Sequence, residues 1–181
     1  MRKQRGGSRE QKDGSERLDA MVLREAVKSD LGAINEIYNH YVVHSNCTYQ
    51  EEPETMENRR LWFERHGPKH PIIVAVFNGD VLGWGSLSPY HPRSAYRYTV
   101  ENSVYVHAKH QRRGIGSRLL SDLIVRAQKA GHHAIMALID SQQKGSIALH
   151  SKFKFKTAGR VREVGRKFGR WLDVVYMERL L

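Results

Sequence analysis

Gln111-Arg112-Arg113-Gly114-Ile115-Gly116 joins a strand-like run to a helix-like one. Upstream, residues 99–107 are rich in β-branched and aromatic side chains, which favour a pleated strand. Downstream, Leu119, Leu120, Leu123, Ile124 and Ala127 recur at helical spacing within 117–130. A strand-to-helix turn of this composition is a cradle for a pyrophosphate. Its glycines let the backbone approach an anion closely, and the first amides of the helix point at that charge. Arg112 and Arg113 add charge-assisted contacts, and Ser117 opens the helix.

The elements around this turn set the fold class. Residues 21–27 read as a first strand. A helix follows from Ser29 or Asp30, with Ile34, Ile37, Tyr38 and Tyr41 on one face. A second helix starts at Thr55 and stops at Gly67-Pro68. Residues 71–77 and 81–88 flank Asn78-Gly79-Asp80, which predicts a β-hairpin. Residues 89–94 form a loop and residues 95–107 the next strand. After the glycine turn and its helix, ended by Gly131, come a strand at 133–139 and a short helix at 145–152. A closing hairpin spans 155–164 and 170–180. Helices interleaved with strands and hairpins predict a single α/β domain, with a mixed, mostly antiparallel sheet flanked by helices. A Rossmann fold is disfavoured because the glycine turn lies in mid-chain, lacks the third glycine and is surrounded by hairpins. No Gly-Lys-Ser/Thr follows, so a P-loop is excluded.

The 181 residues suffice for one domain with a substantial core. We read 21–181 as that domain and 1–20 as a disordered or vector-derived tail. No apolar run approaches the roughly 20 residues of a membrane span, and the charged N-terminus lacks a signal-peptide core. Cys47 is the single cysteine, which excludes an intramolecular disulfide and suits a cytoplasmic protein. His132-His133 and the pair His107 and His110 lack a third ligand at suitable spacing, so no metal is expected. The net charge of +11 attracts anions of any kind. No nucleic-acid motif accompanies it, so nucleic acid is not expected as the main ligand.

With this order in place, Gln111–Gly116 resembles the Arg/Gln-x-x-Gly-x-Gly/Ala signature of the GNAT superfamily of N-acetyltransferases. The segment Tyr96-Arg97-Tyr98-Thr99-Val100-Glu101-Asn102-Ser103-Val104-Tyr105-Val106-His107 resembles one branch, the phosphinothricin and methionine-sulfoximine N-acetyltransferases. So do Ser146-Ile147-Ala148-Leu149-His150 and Lys167-Phe168-Gly169-Arg170-Trp171-Leu172-Asp173. Three motifs in the right order span the chain from about Leu23 to Leu180. The resemblance implies a GNAT-type domain that transfers acetyl from acetyl-CoA to the free amine of a small-molecule acceptor. It also implies direct attack in a ternary complex and a homodimer.

The resemblance assigns roles residue by residue. Gln111 to Ser117 would hold the pyrophosphate, Val104, Tyr105 and Val106 the pantetheine arm, and Gln143 a pantetheine amide. Glu101 would be the general base, because an ammonium must lose a proton before it attacks. The alternative for Glu101 is an exposed strand carboxylate paired with Arg97. His150 would protonate the departing thiolate or hydrogen-bond a reacting group, the alternative being a packed helix histidine. Arg93, Ser94, Ala95 and Tyr96 would form the acceptor site with Tyr49, Arg93 gripping a carboxylate or phosphinate. Each could equally be a surface or packing residue. Residues 167–171 would contribute to the cleft and the dimer, or simply form a turn.

Three positions depart from the family pattern. His107-Ala108-Lys109-His110 replaces His-Pro-Asp/Glu-His, and Gln143 stands where asparagine is common. Phe153-Lys154-Phe155 replaces Leu-Gly-Phe, at a cost of about 1 kcal/mol if the position needs positive φ. Same-fold alternatives are a polyamine or a protein N-terminus as acceptor. A silent acyl-CoA-binding module and a nucleic-acid-binding protein are the readings outside that activity.

Overall fold

The computed structural model describes residues 20–181; the expected tail, apart from Ala20, lies outside the described residues. The strands are β1 (Val22–Glu25), β2 (Ile72–Phe77), β3 (Asp80–Pro89), β4 (Thr99–Val106), β5 (Ala134–Asp140), β6 (Lys156–Lys167) and β7 (Arg170–Leu180). The α-helices are α1 (Leu31–His44), α2 (Met56–Glu64), α3 (Ile115–Lys129) and α4 (Lys144–Lys152). The strands form one sheet in the order β1-β2-β3-β4-β5-β7-β6. Every neighbouring pair is antiparallel except β4 and β5.

Local chemistry explains the turns. Asn78 and Gly79 both take positive φ, 51° and 89°, as a tight hairpin turn requires. Phe168 and Gly169 do the same between β6 and β7, at 50° and 72°. The Thr55 hydroxyl accepts from Asn58 N–H at 3.1 Å and caps α2. Lys154 takes φ 64°, so the left-handed exit from α4 that glycine was expected to serve is kept with lysine in its place.

Two apolar clusters cover the sheet. On one face Leu119, Leu120, Leu123 and Ile124 of α3 pack on Ile73, Val100 and Ile135. On the other, Leu31, Ile34 and Ile37 of α1 pack on Ile72, Val74 and Trp84. Strand alternation supplies both faces from β2, Ile72 and Val74 going one way and Ile73 and Ala75 the other.

One element differs from expectation in a way that matters. The strand expected from Ala95 starts at Thr99, and Ser94–Tyr96 is a 3-10 turn. Tyr96 N–H bonds back to Arg93 O (3.0 Å) and Arg97 N–H to Ser94 O (3.2 Å). These short-range bonds curl the chain before it can extend.

Candidate active site

The site begins where two parallel strands part. β4 pairs with β5 only from Thr99 to Glu101, opposite Ala134 to Met136. Beyond Glu101, β4 continues on β3 alone and β5 on β7 alone. A cleft of about 650 Å³ opens in the gap. His107 N–H donates to Leu82 O at 2.8 Å, so antiparallel alternation turns the backbone of Ser103 and Tyr105 toward β3. The N–H and C=O groups of Val104 and Val106 then face the open edge. Val106 O is capped there by the Tyr41 hydroxyl. Val104 lies one pleat deeper, three residues along β4 from Glu101.

The glycine turn stands at the mouth of this gap. Arg112 and Gly114 both have positive φ, 59° and 81°. Left-handed residues on either side of Arg113, whose φ is negative, turn successive backbone amides to one side as an anion nest. Arg118 N–H to Gly114 O (3.1 Å) is the first bond of α3, so the amides of Ile115, Gly116 and Ser117 have no helical acceptor. A Cβ on Gly116 would lie 3.4 Å from Leu149 and 3.7 Å from Val106, filling the space between cradle and cleft floor. The cradle therefore fits the pyrophosphate and pantetheine of CoA. Gln111, Arg112, Gly114, Ile115, Gly116 and Ser117 line the cleft. Arg113 does not; its guanidinium lies 3.2 Å from His110 Nδ1 at the surface.

Glu101 and His150 both line the cleft but reach it from opposite faces of the sheet. Glu101 shares a face with Ser103 and Tyr105, toward α1 and α2. Its carboxylate has no ion pair or hydrogen bond among the described residues, and burial holds its pKa above the usual carboxylate range. Arg97 does not pair with it: that guanidinium bonds Ser94 O and stacks on Tyr98. His150 lies on the α3–α4 face and is only 3% exposed. Its Nδ1 lies 2.8 Å from Ser146 O and its Nε2 3.0 Å from the Asn102 amide nitrogen. A ring that donates to a carbonyl and accepts from an amide is neutral, and burial lowers its pKa in agreement. Its edge-to-face contact with Phe155 completes the packing.

The far wall is the loop after α1. Tyr49 lies across Gly165 and donates to Asp140 Oδ2 at 2.9 Å. Asp140 Oδ1 accepts from Asn46 Nδ2 (3.0 Å), and Asn46 Oδ1 accepts from Gln143 Nε2 (2.7 Å). Gln143 therefore lines the cleft already engaged with the wall. The buried Lys167 ammonium donates to Ser45 O and Thr48 O, each at 2.8 Å. The closing hairpin thus fixes the loop carrying Cys47, Thr48 and Tyr49. Burial raises the Cys47 thiol pKa, which opposes a nucleophilic thiolate.

The structure does not bring Arg93, Ser94, Ala95 and Tyr96 to the cleft. All four are exposed on the 3-10 turn and line neither the cleft nor the cavity beside it. Tyr41, Asn102, His110 and Asp140 line it without having been singled out from the sequence. Tyr41 was legible only as a core residue of α1; the others carry no local signal. Among the described residues no group of three His, Cys, Asp or Glu could hold a metal ion, and no helix is long and apolar enough to cross a membrane.

Comparison with known proteins agrees with this geometry. The Acetyltransferase (GNAT) family model matches residues 34–155. An L-methionine sulfoximine/L-methionine sulfone acetyltransferase of Salmonella typhimurium is 42% identical over 159 residues, 87% of this chain and 93% of the relative. A phosphinothricin N-acetyltransferase of Streptomyces coelicolor is 38% identical, over 88% of this chain and 95% of that one. Among solved structures, a GNAT superfamily phosphinothricin acetyltransferase from Sinorhizobium meliloti in complex with acetyl-CoA superposes with a TM-score of 0.86. It is 37% identical and covers 90% of this chain and 89% of that one.

Proposed function

The chain belongs to the acetyltransferase (GNAT) family, and from that premise we propose that it acetylates the free amine of a small amino acid or analogue of the methionine sulfoximine, methionine sulfone or phosphinothricin kind. The donor is acetyl-CoA, and the amine attacks it directly in a ternary complex. One observation carries the reading: a half-buried carboxylate, Glu101, unpaired among the described residues, stands where β4 and β5 part, beside an anion cradle.

Acetyl-CoA supplies an acetyl thioester. The cradle from Gln111 to Ser117 holds its pyrophosphate, while Val104, Tyr105 and Val106 carry the pantetheine along the open edge. The Val104 N–H donates to the thioester carbonyl oxygen, where negative charge grows during attack. Glu101 takes the ammonium proton, and burial brings its pKa closer to the working range. The nitrogen lone pair then forms the amide bond as the carbon–sulfur bond breaks, and the excess proton on that nitrogen passes to the departing thiolate through water. A thiol is far more acidic than an alcohol and leaves readily as the thiolate, so no strong acid is needed. His150, neutral and braced by Asn102 and Ser146, positions the β4–α4 side of the cleft. Gln143 and Tyr49 shape the opposite wall.

Arg93, Ser94, Ala95 and Tyr96 retain an acceptor role in this reading only as an outer rim. A homodimer is the proposed assembly, supported by Val164, Phe168 and Trp171, which are more than half exposed on the closing hairpin. Sedimentation at micromolar concentration should give twice the chain mass. A cytoplasmic setting is part of the same reading, since the single half-buried cysteine needs no oxidising compartment.

The decisive assay follows thiol release from acetyl-CoA against methionine sulfone, methionine sulfoximine, phosphinothricin, common amino acids and polyamines. The oxidised methionine analogues or phosphinothricin should give the highest kcat/KM. Preference for polyamines would move the chain to another acceptor class. CoA binding with no acceptor-dependent release would make it a silent module.

A further inference from the structure

Beside the cleft lies a second cavity of about 530 Å³ on the α1–α2 face of the sheet. Glu101, Ser103 and Tyr105 line both, so the two spaces meet at the carboxylate proposed as the base. Deep in the second cavity stands Arg59 of α2, 4% exposed. Its guanidinium carbon lies 4.7 Å from the Tyr38 and Trp62 ring centroids and 5.8 Å from that of Trp84. Its Nε donates to Asn35 Oδ1 at 3.1 Å, and Asn35 is pinned in turn by its Nδ2, which donates to Glu54 O at 2.8 Å.

A guanidinium has five N–H donors and stays charged even when burial lowers its pKa, as it does here. The Asn35 bond uses one of them. Among the described residues the Nη groups have no hydrogen-bond acceptor, and no carboxylate forms an ion pair with Arg59. Glu54 lines the same cavity and contributes only at longer range. Buried cations are normally paired. Here an aromatic cage and one amide hold the fork still and leave its bidentate edge for something else. An oxygen pair fits that edge in geometry and charge.

Resting on the acceptor class proposed above, we propose that Arg59 is a specificity-determining residue that grips a paired-oxygen group of the acceptor while the acceptor's amine lies at Glu101. Two groups on such an acceptor have that chemistry. One is its carboxylate; the other is the head of its side chain where that carries two oxygens, as a sulfone or phosphinate does. Arg93 cannot serve this depth, since it stands exposed outside both spaces.

The test measures kcat and KM of Arg59→Met and Arg59→Lys with three acceptors: methionine sulfone, methionine, and the sulfone amine lacking the carboxylate. Acetyl-CoA affinity serves as the fold control. Arg59→Met should raise KM for methionine sulfone about 10- to 100-fold, with a smaller change in kcat. Arg59→Lys should fall between, keeping charge without the fork. An equal penalty on the sulfone and methionine, with none on the carboxylate-free amine, assigns the carboxylate. A penalty on both sulfones but not on methionine assigns the side-chain oxygens. Unchanged KM for all three overturns the proposal.

A second measurement needs no Arg59 variant. Trp62 and Trp84 flank the guanidinium, whereas Trp171 is exposed on the closing hairpin. Titrating Trp171→Phe protein, with CoA present, against methionine sulfone and phosphinothricin should change tryptophan emission saturably. No change with either overturns the proposal, including where Arg59→Met fails to fold. Absence of turnover by the wild type with every acceptor defeats the acceptor class instead, and the titration still decides Arg59.

Discussion

Glu101→Gln should lower kcat at pH 7 by about 10²- to 10⁴-fold while leaving acetyl-CoA affinity nearly unchanged. That loss is about 3–5 kcal/mol of transition-state stabilisation. Gln keeps the size and polarity of the side chain but cannot take a proton. The donor is held elsewhere, by the cradle and the far end of β4, so its binding has no reason to respond. The defect should shrink at high pH, where free amine no longer has to be made in the site. The acidic limb of the wild-type pH–kcat profile, which reports ionisation of the base, should give way in the variant to one set by ionisation of the acceptor amine itself.

Stability should move the other way. Burial raises the Glu101 pKa in the folded state. The neutral carboxyl is therefore favoured on folding, and that contribution is fully present below the unfolded pKa of about 4.3. It is lost as pH rises through the folded pKa, where the buried charge must form. Glu101→Gln never incurs that cost. Thermal melts should find the variant equal to wild type near pH 4 and more stable at pH 7–8. A variant both slower and less stable at neutral pH would mean that the carboxylate is a structural partner, not a base.

These expectations also mark what the chain reveals in one dimension. The glycine turn, the amphipathic α3 and the Asn78-Gly79 hairpin were legible because each rests on local rules: φ > 0, helical period and turn chemistry. Glu101 and His150 were legible through the motifs around them. The strand start at Ala95 failed, because backbone bonds over three residues curl Ser94–Tyr96 into a 3-10 turn. Other parts of the site have no local signature at all. Asp140 binds Asn46 and Tyr49 across 94 and 91 residues, and Lys167 reaches Ser45 O across 122. The cage of Arg59 draws Tyr38, Trp62 and Trp84 from two helices and a strand. Sequence pattern places each of them in the core; only tertiary packing shows that a charge stands among them.

The second large effect separates the cradle's two properties. Gly116→Asp should stabilise the fold and nearly abolish donor binding. Position 116 is the second residue of α3, after the left-handed Gly114. A carboxylate in the first turn of a helix is favoured by about 0.3–1 kcal/mol, and replacing glycine inside a helix removes a further cost of about 0.5–1 kcal/mol. The new Cβ meets Leu149, Val106 and Val104 at 3.4–3.9 Å, which is contact without serious overlap. The melting temperature should therefore hold or rise. The pyrophosphate, by contrast, would meet a fixed negative charge about 5 Å away. At an effective dielectric near 20, that repulsion is about 3 kcal/mol per charge, enough to raise the acetyl-CoA Kd more than 100-fold. Gly116→Ala, which adds the methyl without the charge, should show only a small part of the loss. Calorimetric titration with CoA alongside a thermal melt reads both quantities on one sample. Unchanged CoA affinity in a folded Gly116→Asp protein would place the pyrophosphate somewhere other than the turn from Gln111 to Gly116.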